Sequence, residues 1–556
     1  MNEKSVFERG DSREDKITRA VAGSAVSLVL GIAGGVFYLL MAVVGPRILR
    51  AEKMGILGPV MGIFWAGAAI LSLGIPQAVT KYVSEHYVRD PEKSKMFVCE
   101  GIRLLTITGL IIFVGGTAVA TVLYKKGMIT SMIYYPVIAL LITLFTNEIY
   151  WALNSALNGY QRLDYVAINN FVFPLVFFIS SIALVVGVQM HYGIFSLSEE
   201  PPEKFFSTYA DVTAAIFGFA IGGTAATISA AHFLKKMNII SLRDAFNLKV
   251  SRGLGKKIIK FGGFVTVGNM FYTVGSNIDM AIVGLLVSLG AITYRESGYY
   301  SVAHMYALAS AMIMPITWAF LPAISEADAL KDRELLDRYF TLGFKFALML
   351  IVPITAFYGV MSTPILSFFA GKTFASAGRC MFIIAVGAAM LLMFYLLMYE
   401  LFGLGKPLVP AISIIVATFL ETVTIYVCGM KLGIEGAAIG FVVLGLSSFL
   451  MTFIYMKRKI GVKFHIWTVI NPVVATIPAT LLIHFVMPKD GWWAFFDIIV
   501  FSAVYFLFWI FVGGVDSSDI QMTKDIAYST LGQRAEPFLK IYERIVKKTP
   551  LFEWYL

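Results

Sequence analysis

Apolar runs of about 20 residues or more, broken by short polar connections, repeat along the chain from residue 20 to residue 514. Each is long enough to cross a hydrocarbon core of about 30 Å as a helix. The runs are continuous rather than alternating, which excludes a membrane-spanning β-barrel. Fourteen helical spans are predicted, at 20–44, 56–80, 98–123, 132–157, 166–188, 210–234, 258–287, 300–324, 341–369, 380–402, 408–430, 435–456, 467–487 and 494–514. The predicted fold class is an all-α polytopic membrane protein.

Composition agrees with the pattern. Charged residues are 14% of the 556 and hydrophobic residues 58%. A soluble chain of this length needs about twice that charge to cover its surface. Residues 1–19 are densely charged and lack an apolar core, so a cleavable signal peptide is excluded and the first span is expected to be a retained anchor. Cys99, Cys380 and Cys428 are far apart and suit neither a metal motif nor a disulfide framework. No cofactor is expected.

The net charge of +10 is explained by topology rather than by a nucleic-acid partner. With the N-terminus inside, the inner segments hold roughly three times as many Lys and Arg as the outer loops. Both termini are therefore expected in the cytoplasm, with the protein in the cell membrane. The most basic loop, 235–257, falls between the sixth and seventh spans, and retention at the inner lipid headgroups accounts for its charge. The outer loop 189–209 is irregular and acidic through Glu199, Glu200 and Glu203. In the tail, Phe538, Leu539, Ile541, Tyr542, Ile545 and Val546 oppose Lys540, Arg544, Lys547 and Lys548, as in a helix lying on the inner membrane surface.

The two halves resemble one another at a separation of about 240 residues. Glu52-Lys53-Met54-Gly55 leads into a span ending Tyr82-Val83-Ser84-Glu85; Arg295-Glu296-Ser297-Gly298 leads into one ending Ala323-Ile324-Ser325-Glu326. Gly159-Tyr160-Gln161-Arg162 precedes Ala167-Ile168 as Gly403-Leu404-Gly405-Lys406 precedes Ala411-Ile412. Ala214-Ala215-Ile216-Phe217-Gly218 echoes Ala437-Ala438-Ile439-Gly440. Six spans per half give the halves a common orientation, as in parallel repeats around a central cavity. The expected division is an N-terminal tail 1–19, a first lobe 20–234, the basic linker 235–257, a second lobe 258–456, an added helix pair 467–514 and an amphipathic tail 515–556.

The same segments carry a family resemblance. Gly45-Pro46-Arg47 with Gly55, Gly74-Ile75 with Lys81-Tyr82, and Asn277-Ile278-Asp279 with Gly284 belong to it. So do Gly298-Tyr299-Tyr300-Ser301-Val302-Ala303 and Gly433-Ile434-Glu435-Gly436-Ala437-Ala438-Ile439. From about residue 20 to 456 the chain resembles the polysaccharide-transport branch of the multidrug/oligosaccharidyl-lipid/polysaccharide (MOP) exporter superfamily. The resemblance implies a flippase moving a polyprenyl-phosphate or polyprenyl-diphosphate oligosaccharide to the outer leaflet by alternating access, alongside glycan-assembly enzymes. Lipid II flippases of the superfamily carry arginines within the first helix, and its drug antiporters commonly use an acid there or in its repeat mate. Ala20 to Val44 has no charge.

A flippase must hold an anionic phosphate and a polar glycan inside a hydrocarbon slab, so cations and amides within spans are candidates. Arg103 begins the third span, Lys345 takes the equivalent place in the ninth, and Lys260 begins the seventh. They suit a basic inner mouth, or snorkelling to the inner headgroups. Asn269, Asn277 and Asp279 lie on the seventh span, where Asn277 and Asp279 are about 200° apart on a continuous helix. Asp279 then faces either the cavity or a neighbouring helix. Asn147 is a further substrate-binding candidate. Glu148 beside it and Glu421 near mid-span in the eleventh suit a coupling proton or sodium, or interhelical pairing. Glu400 nears the inner end of the tenth span. His304 and His484 read as interface histidines. Pro174, Pro315, Pro353 and Pro472 are expected kinks, and Trp492-Trp493 an outer aromatic belt.

Two other functions stay open from the residues alone: a cation-coupled drug or metabolite antiporter on the same scaffold, and a membrane glycosyltransferase or polymerase. The last needs an acidic motif beside a metal site on a sizeable outer loop. Loop 189–209 holds Glu199, Glu200 and Glu203, with Asp211 just after it, without that arrangement.

Overall fold

The computed structural model describes residues 13–196, 209–239, 252–309, 324–325, 327–328, 330–462, 466–488, 493–514 and 536, without the side chains of 13–29, 252 and 264–272. The acidic part of the outer loop at 199–203, most of the basic linker, Pro315, Trp492 and the amphipathic tail lie outside the described residues.

The helices run α1 Arg13–Leu71, α2 Ile75–His86, α3 Pro91–Lys125, α4 Ser131–Gly159, α5 Leu163–His191, α6 Ala210–Lys236 and α7 Arg252–Gly275. They continue as α8 Ile278–Ser288, α9 Tyr294–Ala307, α10 Arg333–Ile365, α11 Gly378–Gly403, α12 Leu408–Tyr455, α13 Trp467–Phe485 and α14 Trp493–Phe511. There is no strand among the described residues. Ten of the described helices are long and apolar enough to cross a membrane.

That number matches fourteen spans once the turns are placed. α1 reverses at Arg50 (φ 64°) and α12 at Gly433 (φ 60°), so each holds two spans. The shorter apolar stretch Thr273–Ser288 completes the seventh span, and α9 opens the eighth. The chain is an all-α, multi-pass membrane protein.

Two spans are less regular than their apolar pattern suggests. The second breaks at residues 72–74, where Leu73 and Gly74 have positive φ before Pro76 restarts the helix as α2. The seventh breaks at Ser276 and Asn277 between α7 and α8. In contrast, α5, α10 and α13 run unbroken through Pro174, Pro353 and Pro472.

The internal repeat extends to backbone hydrogen bonding. Between α4 and α5 the amides of Tyr160, Gln161 and Arg162 donate to the carbonyls of Ala156, Asn158 and Leu157. Between α11 and α12 the amides of Leu404, Gly405 and Lys406 donate to Glu400, Phe402 and Leu401 in the same pattern. Gln161 and Gly405 both take left-handed φ, 56° and 68°. Asp90 caps α3 by accepting from the Lys93 amide, and Asp332 caps α10 from the Leu335 amide.

The chain divides into two compact units, residues 1–302 with 429–434, and 303–428 with 435–556. In the first, the second limb of α1 presents Gly55, Gly58 and Gly62 along one side, against α8 and α9. A Cβ at Gly55 would stand 1.8 Å from the Tyr294 carbonyl oxygen, and one at Gly298 1.7 Å from that of Ala51. Only backbones stripped of side chains approach so closely, as small-residue helix crossings in membranes do. The Ser297 hydroxyl donates to the Gly55 carbonyl (2.9 Å), and Arg295 pairs with Glu52 (3.6 Å). Deeper in this unit Phe64, Phe173 and Phe177 pack edge-on around Phe219, with ring centroids 5.0–5.2 Å from it.

In the second unit α11 is the central helix, 78% buried over its most apolar window. α10 packs on it and also meets α14, where Tyr505 donates to the Met349 carbonyl (2.7 Å) and Phe357 meets Phe501.

Candidate functional site

The cations expected at an inner mouth differ in surroundings. Arg103 is half-buried on α3 and lies 4.0 Å from Glu100, one turn earlier. Lys260 is exposed on α7, and Lys345 is half-buried on α10. Arg103 and Lys260 belong to the first unit and Lys345 to the second.

The break in the seventh span changes the geometry of its polar residues. Asn277 takes the N-cap position of α8 with non-helical φ of −138°, and its amide side chain turns back to the Thr273 carbonyl (2.9 Å). The 200° relation of a continuous helix therefore does not hold between Asn277 and Asp279. Asp279 stands in the first turn of α8, where the helix dipole favours a negative charge. It is fully buried and accepts a 2.6 Å hydrogen bond from Tyr300 on α9. Asp and Tyr thus tie α8 to α9 close to the glycine crossing with α1. The side chain of Asn269 lies outside the described residues.

Asn147 belongs to a polar seam within the first unit. Thr143, Asn147, Tyr150 and Asn154 follow at intervals of four, three and four, so they share one face of α4. Thr143 donates to the Ile216 carbonyl of α6 (3.3 Å), Tyr150 bonds Asn170 (3.3 Å) and Asn169 bonds Asn154 (3.4 Å). Asn147 caps the Thr143 carbonyl and packs on Gly223. Ser180 and Ser181 of α5 donate to the Gly218 and Ala215 carbonyls of α6. Such bonds hold helices together where apolar burial gives no preference between helix and lipid.

Glu148 is on the adjacent face of α4, beside Gly109 of α3, and is buried with Oε2 lacking a hydrogen-bond partner among the described residues. In the second unit Glu421 is fully buried. Glu400 is fully buried too, and neither of its carboxylate oxygens has a hydrogen-bond partner among the described residues. Asp497 of α14 is in the same condition. An acid so placed is costly and is a candidate for proton or cation traffic. Among the described residues no group of three or more His, Cys, Asp or Glu suits a metal ion.

One cluster has no forerunner in the sequence reading. Lys53, at the start of the second limb of α1, is completely buried and ion-paired with Asp211 of α6, itself completely buried. Gln189 at the end of α5 donates to the same Asp211 oxygen (2.8 Å) and to the Ile48 carbonyl (3.2 Å). The Arg50 guanidinium reaches the Ser196 carbonyl (3.4 Å). The cluster fixes the reversal of α1 against α5 and α6. Lys53 and Asp211 look like ordinary loop charges in sequence, because nothing local signals their meeting across 158 residues.

The model of the family described as "Polysaccharide biosynthesis protein" matches residues 20–328, more than half of the chain. The chain belongs to the polysaccharide biosynthesis protein family. No curated protein matches it. This family member shares its fold with solved membrane transporters. The lipid II flippase MurJ, in an inward closed conformation, aligns over 88% of this chain and 98% of its own, with TM-score 0.66 and 15% identity. A multidrug resistance MATE family transporter in an inward-facing conformation aligns over 80% of this chain and 98% of its own, with TM-score 0.61 and 16% identity. A MOP superfamily transporter from Pyrococcus furiosus aligns over 83% and 99%, with TM-score 0.50 and 18% identity. At such identities the likeness is one of fold. The polysaccharide biosynthesis family member keeps that fold while its first span, unlike its loops, is free of charge from Ala20 to Val44.

Proposed function

We propose that the chain is a flippase that carries a polyprenyl-phosphate or polyprenyl-diphosphate oligosaccharide from the inner to the outer leaflet of the cell membrane by alternating access, for surface glycan assembly. The observation that carries this reading is membership of the polysaccharide biosynthesis family, matched over residues 20–328, the first eight predicted spans. A fold shared with a lipid II flippase supports it. Both termini are placed in the cytoplasm by the charge bias of the loops. Arg103, Lys345 and Lys260 receive the phosphate at the inner side. Glu100 beside Arg103 holds the guanidinium in position until a stronger anion competes for it. Asn277, at a helix break, supplies a polar contact to the glycan, as interrupted helices do in other transporters, while Asp279, buried against Tyr300, braces the break.

The test is transport in reconstituted vesicles of a fluorescent lipid-linked oligosaccharide. Arg103→Ala and Lys345→Ala are each expected to slow flipping several-fold, on the order of one charge-assisted contact, and the double variant by about a hundredfold. Normal flipping by the double variant at normal expression removes both residues from the mechanism.

A second reading is favoured by the buried carboxyl groups of Glu148 and Glu400: Oε2 of Glu148 and both oxygens of Glu400 lack hydrogen-bond partners among the described residues. They suit a cation-coupled antiporter, the reading that the fold shared with MATE transporters also allows. Ion-driven drug efflux, together with failure to move the lipid-linked sugar, decides for it.

A further inference from the structure

Three connections of the second unit meet around a small basic pocket. Asp328 lies ahead of α10, Arg333 and Leu336 open it, Leu404 and Lys406 form the turn between α11 and α12, and Lys459 and Ile460 end the helix that follows α12. The cavity is about 140 Å³, far more than the roughly 15 Å³ that one water needs. All these connections lie on the side that charge bias assigns to the cytoplasm.

The pocket is built rather than merely basic. The Arg333 guanidinium donates to the Ile460 carbonyl, where the chain closes a wide turn with the Gly461 amide bonded to the Met456 carbonyl (3.0 Å). Gly461 has φ 76°, and a Cβ there would approach Arg333 to 3.1 Å. The guanidinium is thereby held on the helix end that also carries Lys459. Holding its planar fork in place reduces the entropy lost when it binds an oxyanion.

The repeat sharpens the contrast. Arg162, the counterpart of Lys406, is paired with Asp164 at 2.7 Å and lies over the Tyr165 ring at 3.9 Å. Two residues after Lys406 the chain has Leu408 instead of an acid. Among the described residues neither Lys406 nor Lys459 is in an ion pair. Three cations face one carboxylate, Asp328, so the pocket keeps a surplus of positive charge over an apolar floor of Leu336, Leu404 and Ile460.

We propose that this pocket binds a phosphate group, with Arg333 supplying the fork and Lys406 and Lys459 the point charges. The phosphate is that of an inner-leaflet anionic lipid or of a soluble phosphate; the chemistry of recognition is the same. The site is independent of the flippase reading.

The experiment is calorimetric titration of the full-length protein in neutral detergent with inorganic phosphate, short-chain phosphatidic acid and short-chain phosphatidylcholine. Saturable binding of phosphatidic acid alone identifies a lipid site, and binding of inorganic phosphate as well a site for free phosphate. Lys406→Gln with Lys459→Gln is expected to weaken that binding about tenfold or more, the loss of about 1.4 kcal/mol. Lys457→Gln with Arg458→Gln removes the same charge from the same helix end outside the pocket, and is expected to change binding by no more than about twofold. These four side chains are exposed, so the melting of each variant should match the parent. The proposal is overturned if neither phosphate probe saturates, if phosphatidylcholine binds equally, or if both pairs of substitutions weaken binding alike.

Discussion

Adding a single methyl group at Gly298 is expected to unseat the joint between α1 and α9 and to lower stability by about 3 kcal/mol or more. The new Cβ would stand 1.7 Å from the Ala51 carbonyl oxygen and 2.6 Å from its carbon. Both are backbone atoms, so no rotamer change relieves the overlap and the helices themselves must separate. Separation stretches the Ser297 hydroxyl from the Gly55 carbonyl and pulls Arg295 from Glu52. It also disturbs α9 where Tyr300 holds Asp279. Gly55→Ala strains the same crossing, with its Cβ at 1.8 Å from the Tyr294 oxygen. The two substitutions are therefore expected to be less than additive, since one displacement accommodates both. Gly115→Ala is the control: the position lies within α3 with nothing within 4 Å of a Cβ. There alanine is expected to stabilise by up to about 1 kcal/mol through helix propensity. Thermal unfolding in detergent or nanodiscs measures all four variants. A Gly298→Ala protein that melts with the parent rules out the close crossing.

The second large effect is expected at the buried ion pair of Lys53 and Asp211. Lys53→Met removes the only cation paired with Asp211 among the described residues and leaves a carboxylate with complete burial. Breaking such a pair by removing one partner costs about 3–5 kcal/mol, because the remaining charge has lost its compensation. The Gln189 amide and the Val212 backbone amide still donate to Asp211 and keep the loss near the lower end of that range. Combining Lys53→Met with Asp211→Leu is expected to recover most of the stability, since a well-packed apolar pair avoids the desolvation of both charges. The double-mutant cycle is read by the same melting measurement. Equal losses in the single and double variants mean that packing, and not the ion pair, holds the α1 reversal.

The polar candidates show how far local pattern reaches. The apolar runs placed fourteen spans because span length is set by bilayer thickness, a property each segment carries by itself. The repeat was visible because Gly159-Tyr160-Gln161-Arg162 and Gly403-Leu404-Gly405-Lys406 encode one turn twice, and the turn is local. The break at Ser276 and Asn277 escaped the reading, as an apolar run does not reveal an interruption that neighbouring helices compensate. Asp279 was identifiable as an intramembrane acid, but its partner Tyr300 came only with the fold. Glu400 was visible as a charge near a helix end, while its lack of a hydrogen-bond partner among the described residues required knowing what surrounds it. Lys53 and Asp211 were invisible as a pair, each standing at a polar connection where a charge ordinarily meets water.

The sequence by itself determined that this chain crosses a membrane many times as helices, that its halves repeat, and which superfamily it resembles. These follow from hydrophobic length, charge bias and short turn motifs, all of which act within a few turns of chain. Only the tertiary structure decided which small residues let backbones touch, which charges are buried together, and which loops gather around a basic pocket. Those depend on residues as far apart as Gly55 and Ser297, or Arg333 and Ile460, whose meeting is fixed by packing and close-range hydrogen bonding rather than by any pattern along the chain.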